Sequence, residues 1–78
     1  MSNQLAHHGR VLSVRGSVID ARFPDELPEV HHMLVTGADD RIVVEVANHL
    51  DDETIRGMAL TSTQGLARGE AIRNTGHP

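Results

Sequence analysis

Six histidines, eleven carboxylates and seven arginines supply most of the chemistry open to this 78-residue chain. Histidines and carboxylates first raise the question of a metal. His7-His8 and His31-His32 are adjacent pairs, and neighbours in an extended chain point to opposite faces. A helical ligand pair would need a spacing of four. His49 and His77 each fall alone in an expected loop. Without ligand spacing, the histidines read as solvated. Asp51-Asp52-Glu53 lacks the Asp-x-Asp-x-Asp-Gly pattern of a calcium loop, so it and Asp39-Asp40 read as polar turns. Gly65-x-x-x-Gly69 superficially resembles a phosphate cradle, but no helix is expected after it to supply the anion site. Turns at positive φ explain both glycines more simply. Every basic residue is arginine, so the lysine of a P-loop or of a Schiff base is missing. There is no cysteine, which removes disulfides, zinc ribbons and thiol nucleophiles. Ser13, Ser17 and Ser62 occupy no nucleophile elbow. Asp20, on the polar face of a strand, reads as a surface or contact residue rather than a general base. No catalytic, cofactor-binding or metal-ligating residue is therefore expected.

Composition narrows the partners. A net charge of −4 is the wrong sign for displacing counterions from phosphates. Phe23 is the single aromatic, too few for stacking single-stranded bases. No apolar run approaches the ~20 residues that span a bilayer. Met1–His8 has no basic region followed by an apolar run, so it does not read as a signal peptide. The expectation is a soluble domain that binds no nucleic acid and touches no membrane.

Short apolar stretches, punctuated by Gly, Pro, Asp and Asn, must position these side chains. Gly9–Arg15 is the first, and Gly16 interrupts it as a bulge or bend. In Ser17–Phe23, period two puts Ile19, Ala21 and Phe23 on one face and Asp20 and Arg22 on the other. Pro24 and Pro28 cannot donate to a ladder and end that strand. His32–Val35 is a third strand, closed by a turn over Thr36–Asp40. The fourth is the clearest: Ile42, Val44 and Val46 alternate with Arg41, Val43 and Glu45. A polar loop over Asn48–Glu53 follows. Thr54–Thr61 is a fifth strand, whose inward face the pattern leaves open. Gln64–Gly69 connects it to a sixth, Glu70–Thr75, which buries Ile72. No window keeps a helical stripe free of Gly or Pro. The fold class expected is all-β, about six strands in a barrel or sandwich, and closing them into a barrel would remove exposed edges. Its core should hold Ile19, Phe23, Ile42, Val44, Val46 and Ile72, while outward residues such as Val43 leave a modest apolar patch.

The ordered segments Gly9-Arg10-Val11, Val14 to Phe23, Leu27-Pro28-Glu29-Val30, Val43 to Leu50, Thr54 to Leu60 and Gly65 to Gly69 resemble one family. It is the N-terminal domain of the F-type ATP synthase β subunit. Gly16-Ser17 stands where the related α-subunit barrel carries Gly-Asp-Gly, which favours β. Thr61-Ser62-Thr63-Gln64 replaces the commonest acidic-glycine turn. Together with Val14-Arg15-Gly16-Ser17 and Gln64–Gly69, it is similar to the second, sodium-type ATPase operon of some bacteria.

After a flexible N-terminal tail over 1–8, expected from its lack of periodicity, the resemblance implies a small six-stranded closed β-barrel, the crown domain, over 9–76, and at 77–78 the start of a linker. It implies that the barrel alternates with α-subunit barrels in a hexameric ring, at the cytoplasmic face of the bacterial inner membrane. The ring would serve proton- or sodium-coupled ATP synthesis or hydrolysis. Mg-ATP and Mg-ADP are expected only in a nucleotide-binding domain absent from this chain, and the barrel alone is expected to be monomeric. Two other readings compete. An oligonucleotide-binding-like barrel is opposed by charge and aromatic content, and a metal-dependent enzyme is opposed by histidine spacing.

Overall fold

A computed structural model describes residues 7–78. Six strands form β1 (His8–Arg15), β2 (Val18–Arg22), β3 (Met33–Thr36), β4 (Ile42–His49), β5 (Thr54–Ala59) and β6 (Ala71–Asn74). They close into a barrel in the order β1-β2-β5-β4-β3-β6, with every neighbouring pair antiparallel. Each strand thus has a partner on both sides, and no described strand is left as an edge. Most of the expected tail, Met1–Ala6, lies outside the described residues.

The alternation read from the sequence points where expected. Ile19, Phe23, Ile42, Val44, Val46 and Ile72 are all buried, in one cluster with Val11, Ala21, Leu34 and Ile55. β5 resolves its ambiguity by turning Ile55 and Gly57 inward and Met58 outward. Gly57 has a packing reason. A Cβ there would lie 2.6 Å from Val44 Cγ1 and 2.9 Å from the Glu45 carbonyl oxygen, so the wall closes tightly only around glycine.

Most strand ends differ by a residue or two from expectation, and two of the differences have a clear structural cause. β4 runs on through Asn48 and His49, because a bulge at Ala47 takes up one residue: Val46 pairs with Gly57, and Asn48 with Arg56. Thr36 belongs to β3 rather than to the turn. It is buried, and its hydroxyl donates to the Ala71 carbonyl at 2.7 Å, which removes the usual cost of a buried hydroxyl. The turn after it tightens into one 3₁₀ turn, Ala38–Asp40.

Antiparallel order sorts the connections between two ends. The chain enters at His7-His8 and leaves at Thr75–Pro78 on the same end, with the β2–β3 loop and the β4–β5 loop beside it. The exit is tied down there, since the Met33 amide donates to the His77 carbonyl at 2.9 Å. The far end holds the Gly16-Ser17 turn, the 3₁₀ turn and the β5–β6 connection.

Candidate functional site

Topology gathers what sequence spacing had scattered. All six histidines fall at the end where the chain enters and leaves. His49 ends β4 rather than sitting in a loop, and its Nε2 donates to the Pro28 carbonyl at 2.7 Å. His7 Nδ1 lies 3.5 Å from Glu26, and His31 Nδ1 lies 3.4 Å from Glu45. His32 is half-buried, and its Nδ1 has no hydrogen-bond partner among the described residues. Even so, no three histidines or carboxylates among the described residues converge as metal ligands would.

Asp20 is the most engaged carboxylate. It lies on the outer wall opposite Arg56 across the β2–β5 ladder. Arg56 donates to it twice, from Nε at 2.9 Å and from Nη2 at 3.0 Å. Ser13 Oγ donates at 3.4 Å, and Arg15 Nη2 stands 3.7 Å away. The Arg56 hydrogen bonds hold the Asp20 carboxyl below its ordinary range; burial opposes them, and the charges of Arg56 and Arg15 reinforce them. A carboxylate held this firmly ionised is a poor proton acceptor. The side chain is only 13% exposed, so it is a half-buried structural ion pair rather than the open surface residue its alternation suggests. Asp51 is also held below its ordinary value, first by the Glu53 amide, which donates to it at 2.9 Å in the β4–β5 turn.

The Gly65–Gly69 segment cannot cradle phosphates. Both glycines have positive φ, as turns require. The amide of Gly69 already donates to Val11, and that of Leu66 to Thr63, at 2.7 and 2.9 Å. Ala67 donates to the Glu70 carboxylate at 3.0 Å. No helix follows. These residues therefore do not fit the phosphates of Mg-ATP.

What remains is the outer wall, which is chemically divided. Where β2, β5, β4 and β3 run side by side, one row across the ladder reads Val18, Met58, Glu45, Met33. The next row reads Leu60, Val43, Val35, since the Leu60 amide donates to the Val43 carbonyl and Val43 pairs with Val35. Met58 is 42% exposed and Leu60 55%. Glu45 lies within this apolar field, and arginines border it: Arg73 on β6 pairs with Val35, and Arg15 on β1 pairs with Val18. Alternation flags Val43 as outward, but only the strand order brings Met33, Met58 and Leu60 beside it.

Residues 11–76 match the ATP synthase alpha/beta family, beta-barrel domain. The chain is 51% identical over 78 residues to "ATP synthase subunit beta 2" of Syntrophotalea carbinolica, covering all of this chain and 16% of that protein. It is 51% identical over 75 residues to the protein of the same name in Chlorobium luteolum, covering 92% and 16% of the two chains. Over 75 residues it is 49% identical to "ATP synthase subunit beta 1" of a Marinomonas species, covering 90% and 15%. The chain thus spans about a sixth of the length of these relatives.

Proposed function

The chain belongs to the ATP synthase alpha/beta family, as its beta-barrel domain, and on that premise we propose that it holds an α/β hexamer together without taking part in catalysis. Its partners are then barrels of the α subunit, alternating with it around a ring. The ring sits at the cytoplasmic face of the bacterial inner membrane, in the peripheral sector of a machine that couples ATP synthesis or hydrolysis to protons or sodium. Nucleotide chemistry falls to other parts of the parent subunit.

The observation that supports this reading best is the match along the whole chain to β subunits, of which the chain spans only about a sixth. The wall chemistry agrees with it. A closed barrel with its core fully enclosed keeps its shape while attached domains move. An apolar field on its side, rather than a polar cleft, suits contact with another protein. Carboxylates and amides that could have served a ligand are engaged within the barrel.

The test compares a full-length β subunit with one from which this segment has been deleted, each mixed with α subunits. Sedimentation velocity is expected to show hexamers with the first and only smaller species with the second. The deleted subunit should still bind Mg-ATP in calorimetry, whereas the 78-residue chain should give no saturable heat. Hexamers built from the deleted subunit would overturn the proposal.

A further inference from the structure

We propose that the depression at the far end of the barrel, lined by Arg41, Thr61, Ser62, Gln64 and Gly65, is a binding site for a carboxylate, presented by an acidic side chain of another protein. The inference goes beyond the ring reading above and does not depend on it.

The depression opens between the start of β4 and the connection that follows β5, and its volume is about 560 Å³. Arg41 is fixed at its rim by the 3₁₀ turn, where its amide donates to the Ala38 carbonyl at 3.2 Å. Its side chain is exposed and makes no hydrogen bond or ion pair among the described residues. The guanidinium reaches across to the connection. Its Nη2 lies 3.6 Å from the place a Cβ would take on Gly65, so glycine leaves the fork its room. Two hydroxyls border the same space with their protons uncommitted. Thr61 Oγ1 accepts from the Val43 amide at 3.1 Å, and Ser62 Oγ accepts from the Gln64 amide at 3.2 Å. A hydroxyl that accepts from an amide keeps its own O–H for a further acceptor. No carboxylate competes from the lining, and Gly57 to Ala67 contains no charged residue. Asp40, just before Arg41, is bonded to Arg73 at 2.9 Å.

The donors decide the ligand. A planar guanidinium with parallel N–H groups matches the two oxygens of a carboxylate. One arginine and neutral hydroxyls balance one negative charge rather than the two of a phosphate. The charge of the barrel is arranged in the same sense. Six carboxylates stand on the loops of the entry end, while the rest of the molecule has an excess of positive charge. An anion approaching the far end is therefore spared most of their repulsion. Leu60 is 55% exposed and immediately precedes Thr61, so an apolar side chain next to the partner's acid would be covered as it binds. The chain's own residues 1–6 carry no acidic side chain. A second copy would have to offer its entry-end loops, which set six carboxylates together against an end that bears Asp39 and Asp40. A single acid beside an apolar residue on a different protein fits better.

The experiment titrates the peptide acetyl-Leu-Asp-Leu-amide into the ¹⁵N-labelled 78-residue chain at constant ionic strength and follows the amide signals. Saturable shifts are expected at Arg41, Thr61, Ser62, Gln64 and Gly65, and none at His31 or Glu53 of the entry end. The same peptide with asparagine in place of aspartate should give no saturable shift. Arg41→Gln should weaken binding about tenfold or more, Arg41→Lys less, because it keeps the charge and loses the fork, and Ser62→Ala least. Arg22→Gln, which removes the same charge from β2, should leave binding as it was. Dispersed spectra of each variant establish that the barrel is still folded. Binding that survives Arg41→Gln unchanged, or a titration that shows no saturation up to tens of millimolar peptide, would overturn the inference. Inorganic phosphate binding at these amides more tightly than the peptide would overturn the carboxylate as ligand. The same shifts appearing with protein concentration alone would replace the partner by a second copy. Each of these outcomes leaves the ring reading, which the deletion of the segment tests, as it stands.

Discussion

The two ends of the barrel are built from different materials. The loops at the end where the chain enters and leaves carry six carboxylates (Asp25, Glu26, Glu29, Asp51, Asp52 and Glu53) and no arginine, and all six histidines are at that end. The other five carboxylates and all seven arginines lie on the strands or at the far end. The net charge of −4 is therefore six negative charges on those loops and an excess of two positive charges over the rest. Positive φ does not separate the ends. Gly16, Gly65, Asp39 and Asp40 adopt it at the far end, and Gly76 and His31, the latter at φ +76°, at the entry end. Glu29 to His32 is a turn closed by the His32 amide on the Glu29 carbonyl at 3.0 Å, with His31 in the position that prefers glycine. Beyond it, His31 and His32 both bond to Val46, from amide and carbonyl respectively, so two residues face one and the ladder is bulged. The contrast teaches that the two ends differ in the charge of their loops and not in backbone strain, which each carries at non-glycine residues.

The largest effect should come from the packing beneath each end. Phe23 lies fully buried just past the end of β2, under the entry end, with its amide bonded to the Glu53 carbonyl at 2.7 Å. Phe23→Ala should cost about 3–5 kcal/mol in chemical denaturation, against about 0.5–1.5 for Ile42→Val at the far end. Equal midpoints for the two variants would break the comparison, showing that the entry end is not more dependent on one side chain.

A smaller effect tests the wall between the ends. Asp20→Asn removes a half-buried bidentate pair and should cost about 1–2 kcal/mol at neutral pH, between the ranges for exposed and for fully buried pairs. The sign with pH follows from the depressed carboxyl. Its folded pKa lies below the unfolded value of about 3.9. The stabilisation is therefore complete above that value and is lost as pH falls through the folded pKa. The native chain and Asp20→Asn should converge in stability towards low pH. Parallel curves down to the most acidic point reached would show that the pair contributes nothing.

The smallest effects have opposite signs. Gly16→Ala places a Cβ at φ +60° where no atom lies within 4 Å, so its cost of about 1 kcal/mol should be purely one of backbone conformation. His31→Gly should raise stability by about 0.5–1 kcal/mol. Thermal midpoints read both. Destabilisation by His31→Gly would mean that the contact of the imidazole with Glu45 outweighs its backbone strain.

Much of this molecule was legible in its residues, and the limit is instructive. Period two places Ile42, Val44 and Val46 in the core because a strand has only two faces. It fails at Leu12 and Ala47, where bulges in β1 and β4 shift the register, since a bulge needs no special residue type. It also misses Thr36, whose burial depends on an acceptor 35 positions away. The outer wall is less legible still. Asp20 meets Arg56, and Val43 meets Leu60, only once β5 lies between β2 and β4, and no local pattern specifies which strand sits beside which. The resemblance to a family supplied the barrel, but not the division of its outer surface.

Entry and exit at one end, on neighbouring antiparallel strands, have a mechanical consequence. Three ladder pairs join β1 to β6, His8 with Arg73, Gly9 with Ile72 and Arg10 with Ala71, and Val11 continues the seam through backbone bonds with Glu70 and Gly69. Tension applied between the two chain ends would meet these pairs in succession, as a zip opens, and the barrel would part at low force. Force applied sideways through its walls would instead meet a closed hoop of strands, all strained together. An assembly that stressed such a hoop laterally, and left its zip slack, would use the direction in which it is stiff.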